Sequence, residues 1–353
     1  MRKWILIRNM TMMMVLAAVF FCTACENQFV KESAFRRSAA STSTSAGRKN
    51  LSLVTWNVET FFDAVTSGSE YKEFKNSERW NKDKYVKRLE KLCEVMTSLN
   101  PDIFVMEEIE NEAVVQDIAN ALAGGSWENK KKWQYACFAK ETGSAIGCAV
   151  FSRYELSRLR THSLDIRTQA ESQPSSRPLM QVTVNVGSYE VELFVNHWKS
   201  KSGGEDETEI WRDWQELVLA ESAAEAASGP DQKVPLIICG DFNRSAEDFI
   251  LQPAQGKKGV NILLRGSAHN LPVTSPWFRS DGKFATETGS YFYSGDWERI
   301  DNIMIYGDLE IAAFTPVKEA PLADEEGRPL SYKIYTGEGY SDHLPLKCVL
   351  TFL

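Results

Sequence analysis

Between residues 51 and 106 the chain alternates strand, helix and strand, and that order restricts the fold more than any other stretch. Residues 51–57 (Leu-Ser-Leu-Val-Thr-Trp-Asn) form a β-rich run ending on a polar side chain. From residue 77 to 100 the apolar positions Trp80, Tyr85, Leu89, Leu92, Val95, Met96 and Leu99 recur at helical spacing, and Pro101 stops the helix. Residues 102–106 then read as a buried strand and 112–122 as a second helix. Further strands are expected over 146–151, 180–186, 191–195, 234–239, 300–305 and 346–350, with a long Ala- and Glu-rich helix over 207–227. The strands 180–186 and 191–195 meet at Gly187-Ser188 as a hairpin. Hairpins mixed with strand–helix–strand units point to an α/β sandwich with mixed sheets. Residues 256–290 are rich in Gly, Ser and Pro without a period, and read as long loops.

The 353 residues are 43% hydrophobic and 25% charged, which excludes a disordered, collagen-like or multi-span membrane chain. A net charge of −8 argues against coating nucleic acid by bulk charge, though not against gripping a phosphodiester through a metal ion and a few cations. The N-terminus reads as an address. Arg2, Lys3 and Arg8 precede an apolar run from Met10 to Phe21, too short to span a bilayer comfortably, and Thr23-Ala24-Cys25 closes it. This resembles a bacterial lipobox with Cys25 as the acylated residue, so residues 1–25 are expected to be a lipoprotein signal peptide. Removing them takes away three cations and no acids, leaving −11. Residues 26–48 read as a flexible polar tether and 49–353 as one globular domain, exported and lipid-anchored in a bacterial envelope. Five other thiols remain, an odd number; Cys148, Cys239 and Cys348 fall inside strand-like runs, so no disulfide framework is expected.

Polar residues gather at the strand ends. Asn57 ends the first strand, Glu107 and Glu108 follow the second, and His197 ends a third. Asp241 and Asn243 follow a fourth, Asp301 lies in Arg299-Ile300-Asp301-Asn302, and Asp342-His343 precedes the last. In α/β folds strand ends converge on ligand-binding crevices. Carboxylates, amides and imidazoles without a reactive Ser or Cys pair suit a hard, oxygen-loving cation and a phosphate. His162 and His269 have no motif around them and read as surface or loop residues. Lys130-Lys131-Lys132 reads as a solvated turn, and Arg212 as a structural residue of the long helix.

The strings Thr55-Trp56-Asn57-Val58-Glu59, Glu107-Glu108-Ile109-Glu110-Asn111, Asn196-His197-Trp198-Lys199-Ser200-Lys201, Gly240-Asp241-Phe242-Asn243 and Ser341-Asp342-His343 occur in order. Together they resemble the endonuclease/exonuclease/phosphatase superfamily over residues 51–353. Within it they are most similar to a bacterial group with a Gln-Glu-Val-Glu-Asn string, and Glu107 stands where that group has Gln. The resemblance implies a deoxyribonuclease I-like four-layer α/β sandwich, two mixed sheets packed face to face with helices outside. It implies Mg²⁺, with Mn²⁺ or Ca²⁺ as alternatives, at Glu108, Asn57 and Asp342. Asp241 would position the attacking water and Asn243 would donate to a phosphate oxygen. His343, oriented by Asp301, and His197 would flank the scissile phosphate. Lys199, Lys201 and Arg177 are candidate phosphate-holding cations.

The resulting expectation is a monomeric, metal-dependent phosphodiesterase hydrolysing nucleic acid, DNA rather than RNA. One alternative is a phosphatase or phospholipase-type enzyme acting on inositol-phosphate or lipid head groups. Another is a surface-anchored binding module without catalysis. The aromatics Tyr291, Phe292, Tyr293 and Trp297 before Asp301 fit either base stacking or packing of a sheet edge.

Overall fold

A computed structural model describes residues 3–5, 49–76, 78–124, 133–164, 174, 176–228, 234–254 and 259–353. Cys25, the tether 26–48 and Lys130–Lys132 lie outside the described residues. Two large sheets dominate. The first contains β1 (Lys3–Ile5), β2 (Asn50–Phe61), β3 (Ile103–Ile109), β4 (Tyr135–Ala139) and β5 (Gly147–Ser152). The second contains β6 (Glu155–His162), β7 (Leu179–Val186), β8 (Tyr189–His197), β9 (Leu236–Asp241) and β10 (Asp301–Tyr306). The chain then returns to the first sheet with β11 (Leu309–Pro316) and β12 (Leu346–Phe352). The strand orders are β1-β4-β5-β3-β2-β12-β11 and β10-β9-β8-β7-β6. Among the described residues only β2–β3 and β8–β9 pair in parallel, each across a connection that carries a helix.

Three apolar clusters define four layers. Leu53, Val105, Val150, Val182, Leu193, Ile237 and Leu350, all fully buried, pack between the sheets. Helices α1 (Lys82–Leu99) and α2 (Glu112–Gly124) cover the first sheet through Leu92, Met96, Val115 and Ile118. Helix α3 (Glu205–Ala227) covers the second through Leu219, Ala220 and Ala223. The expected sandwich of two mixed sheets with helices outside is what the chain forms. Strands of both sheets carry apolar side chains on two faces, which explains their continuous rather than alternating hydrophobic runs. Cys93, Cys137, Cys148, Cys239 and Cys348 are buried free thiols.

The structure also corrects element boundaries. Helix α1 begins at Lys82 rather than near residue 77, because the Asn81 side chain caps it by accepting from Lys84 N. Its end is a left-handed Asn100, whose N–H donates to Met96 O. Residues 256–290 are not loop alone. Leu251–Pro253, Val260–Leu264 and Leu271–Val273 form a small antiparallel sheet whose Ile262, Leu264 and Val273 close the α3 core. His269 is exposed, as expected. His162 is not a free surface residue: its ring lies 3.1 Å from Ser222 Oγ and 2.7 Å from Gln181 Oε1, tying α3 to the second sheet.

Candidate active site

Both parallel strand pairs deliver polar residues to the same edge of the sandwich. Across β2 and β3, Asn57 lies opposite Glu107; across β8, β9 and β10, His197, Asp241 and Asp301 stand in one row. Immediately beyond Asn57 the pairing breaks. Glu59, Thr60 and Glu108 adopt positive φ (53°, 48° and 66°), and the register shifts between Asn57 and Phe61 and between Met106 and Ile109. Left-handed backbone is strained for such residues, and a bulge re-aims side chains. Here it turns the Glu108 carboxylate to the edge, where Thr60 N–H donates to Oε2 at 2.6 Å. Asn57 Nδ2 bridges Glu108 Oε1 (3.2 Å) and Asp241 Oδ2 (3.0 Å), locking two carboxylates from different sheets together.

Asp241 is almost fully buried. It accepts from Asn243 N (2.8 Å) and Nδ2 (3.1 Å) as well as from Asn57. Burial pushes its carboxyl up to about 7, against the opposing pull of His343. Asn243, left-handed at φ 47°, also donates to Trp198 O (3.2 Å). Its neighbour Arg244 is held by Glu216 at 2.6 Å and Asp213 at 2.7 Å, fastening this turn to α3. His343 Nδ1 lies 2.8 Å from Asp301 Oδ2, with both groups buried. Burial works against its charged form, but Asp301, then Asp342, outweigh it and hold the imidazole well above its usual range. His197 behaves oppositely: burial, Arg177 and His343 keep it neutral. Its Nε2 faces Glu108 Oε1 at 3.6 Å and Asp241 Oδ2 at 3.7 Å. Two histidines with opposite charge preferences thus flank one carboxylate-lined cleft.

Asn57, Glu108, His197, Asp241, Asn243, Asp301, Asp342 and His343 are therefore brought together. The candidate cations divide. Arg177 reaches the edge, donating to Trp198 O at 3.3 Å and lying close enough to His197 to disfavour its protonation. Lys199 Nζ instead donates to Ser200 O (2.8 Å) and Ser202 O (3.0 Å), bracing its own loop. Lys201 is engaged by Glu205 (2.7 Å) and Glu298 (2.8 Å), so its charge is already paired at the edge of the cleft. Arg212 is structural, fully buried and donating to Lys199 O and Glu205 O.

Two contributors have no counterpart in the sequence reading. Arg88 is buried on α1 and donates to the carbonyls of Val58, Glu59 and Thr60, bracing the kink that aims Glu108. Its spacing on α1 looks like any exposed helix cation, so the sequence carries no signal for it. Tyr71 lies near both Arg177 and Glu108. Tyr291, one of the aromatics expected either to stack on a base or to pack a sheet edge, packs its ring 4.8 Å from that of His343.

The donors fit a hard divalent cation. Glu108, Asp241, Asp301 and Asp342 crowd one cleft, and burial and mutual repulsion raise Asp241 and Asp342. Oxygen donors that repel one another and retain partial access (Glu108 is 15% exposed) are stabilised when a dication neutralises them. Ligand atoms of Asp241, Asp301 and His343 also lie within 4.8 Å of one another. Residues 52–351 match the model of the Endonuclease/Exonuclease/phosphatase family. The chain belongs to this family. Its enzymes are phosphoester hydrolases that use divalent metals, so this chain's coarse chemistry is hydrolysis of a phosphate ester.

Solved structures share the fold. D. rerio TDP2 complexed with single strand DNA product aligns with TM-score 0.53 at 15% identity, over 85% of this chain and 98% of that one. The human Nocturnin catalytic domain with bound sulfate gives 0.52 at 17%, over 87% and 98%. A Bacteroides thetaiotaomicron mannosyl-6-phosphatase gives 0.50 at 15%, over 86% and 100%. No curated protein matches the chain.

Proposed function

We propose that the protein is a Mg²⁺-dependent phosphodiesterase that hydrolyses nucleic acid by in-line attack of water. The observation that carries this reading is the Asn57 bridge between Glu108 and Asp241, set against the His343–Asp301 pair across the same cleft. Glu108, with Asn57 and Asp342 beside it, would hold the ion. When bound, the ion supplies charge neutralisation at the phosphate and a Lewis-acid contact to one of its oxygens. Asp241, poised near neutrality, orients the attacking water and accepts its proton. Asn243 Nδ2 and the protonated His343 donate to phosphate oxygens as negative charge develops there. Neutral His197 presents a ring N–H to the same region without adding a cation that would compete with the metal. Asp301 keeps His343 charged and fixes its ring. No covalent enzyme intermediate is needed.

The Danio TDP2 structure with a DNA product supports a nucleic-acid substrate by fold analogy alone. The mannosyl-6-phosphatase supports the second reading, a phosphomonoesterase, on the same footing. Cleavage of supercoiled plasmid and of a single-stranded oligonucleotide, with and without EDTA and beside phosphate release from inositol and sugar phosphates, separates them. The nucleic-acid reading requires strand cleavage that EDTA abolishes. Phosphate release without strand cleavage would replace it with the second reading. We further propose that the chain works as a monomer, exported and anchored through acylated Cys25, with the catalytic domain over 49–353. Fatty-acid labelling that persists in Cys25→Ser would refute the anchor.

A further inference from the structure

A hairpin beside the cleft has a use that phosphate hydrolysis alone does not explain. Tyr291–Tyr293 pairs antiparallel with Asp296–Glu298 through a turn in which Ser294 and Gly295 both have positive φ (53° and 99°). That turn matches the twist of two short strands and fixes their register. Strand alternation sends Tyr291 and Tyr293 to one face and Phe292 to the other. Phe292 meets Trp297 edge-on at 5.1 Å, under the Arg328 guanidinium at 5.7 Å, so that face is packed down. The tyrosine face is not. Tyr291 lies 4.8 Å from the His343 ring, and a backbone bridge joins the two residues. Tyr293 stacks parallel on Tyr291, with centroids 6.2 Å apart and an interplanar angle of 14°, yet is 61% exposed. A continuous ladder of rings therefore runs from the acid–base pair to solvent.

Resting on the nucleic-acid reading above, we propose that the Tyr291–Tyr293 ladder is a base-stacking subsite for the nucleotide flanking the scissile phosphate. Its occupant is a flat, uncharged ring. The charged residues of the hairpin are Asp296, which is exposed, and Glu298, which is paired with Lys201. A second phosphate, such as an inositol polyphosphate carries, would meet carboxylates here. A nucleobase has a π-face for Tyr293 and no charge to repel. The subsite selects an unpaired nucleotide, because a base held in a duplex stack cannot lie flat on Tyr293.

The test uses a short single strand in which methylphosphonates block every linkage but one. Its flanking nucleotides carry either thymine or an abasic tetrahydrofuran residue, placed on each side in turn. Wild-type protein should cleave the fully based strand at least about tenfold better in kcat/KM than one of the abasic strands, the loss expected for one stacked base. Tyr293→Ala should erase that preference by slowing only the based strand, and Tyr293→Trp should keep it. Equal cleavage of all strands by active wild-type protein, or an equal slowing of all strands by Tyr293→Ala, would overturn the subsite and leave the nucleic-acid reading standing. Cleavage of none of them, with phosphate still released from a phosphomonoester, would overturn that reading and the subsite with it.

Discussion

Glu107 and Glu108 are adjacent in the chain and opposite in circumstance. Glu108 turns out to the cleft, whereas Glu107 is fully buried beneath it and accepts one hydrogen bond, from Thr55 Oγ1 at 3.0 Å. Its other oxygen has no partner. Burial, reinforced by Asp301, raises its carboxyl well above the ordinary range. An amide fits that space and leaves Thr55 its acceptor, so Glu107→Gln should keep kcat within about threefold of wild type, measured under saturating Mg²⁺. The His343–Asp301 pair is the opposite case, because each partner gives the other its role. Each alanine substitution should lower kcat by about 10²–10⁴. The double variant should be scarcely worse than His343→Ala, since groups that act as a unit are not additive. Simple multiplication of the two defects would show that Asp301 acts elsewhere. These residues were legible because each sits in a short polar string after an apolar run. The Lys201–Glu298 ion pair is not legible in the sequence, because its two partners lie 97 positions apart, beyond the reach of any local pattern.

At the scale of elements, the site depends on the interruption of β2 and β3. Arg88 brings its guanidinium from α1 under that interruption and satisfies three carbonyls, one of them at each of the left-handed residues Glu59 and Thr60. Its face lies 3.8 Å from the Tyr332 ring centroid. Thr60 N–H in turn fixes Glu108. Arg88→Met should therefore raise the Mg²⁺ concentration for half-maximal activity by about 10–100-fold, the usual effect of losing support behind a metal ligand. Restored Mg²⁺ dependence in Arg88→Lys, but not in Arg88→Met, would separate this role from loss of packing. An unchanged Mg²⁺ requirement in a folded Arg88→Met protein would refute it. The sequence places the strand ends at residues 57 and 106, whereas β2 runs on to Phe61 and β3 to Ile109 through the left-handed residues Glu59, Thr60 and Glu108. Local composition carries no sign of such a kink, which depends on neighbours across the sheet. For the same reason β4, β6 and β11 escaped notice, since their apolar content is meaningful only once β5, β7 and β12 lie beside them.

Over the whole molecule, the chain is acidic and its proposed substrate, a nucleic acid, is a polyanion. With 48 acidic against 40 basic residues, bulk charge repels the substrate, and Arg177 is the candidate cation at the cleft not committed to its own loop or to an acid. Few phosphates are then neutralised by protein cations. The logarithm of KM for a single-stranded substrate should rise with the logarithm of salt concentration with a slope of about 1. A slope above about 4 would mean an extended basic track, which the described residues around the cleft do not form. The central claim is that catalysis depends on a divalent cation held by Glu108, and one measurement addresses it directly. Phosphodiester cleavage is followed across a Mg²⁺ titration, from EDTA to millimolar ion, for wild type and Glu108→Ala, with folding checked by circular dichroism. The account predicts no wild-type rate in EDTA, saturable recovery with Mg²⁺, and a Glu108→Ala rate lower by about 10³ or more at every concentration. Full wild-type activity in EDTA, or a Glu108→Ala protein that titrates like wild type, would contradict it.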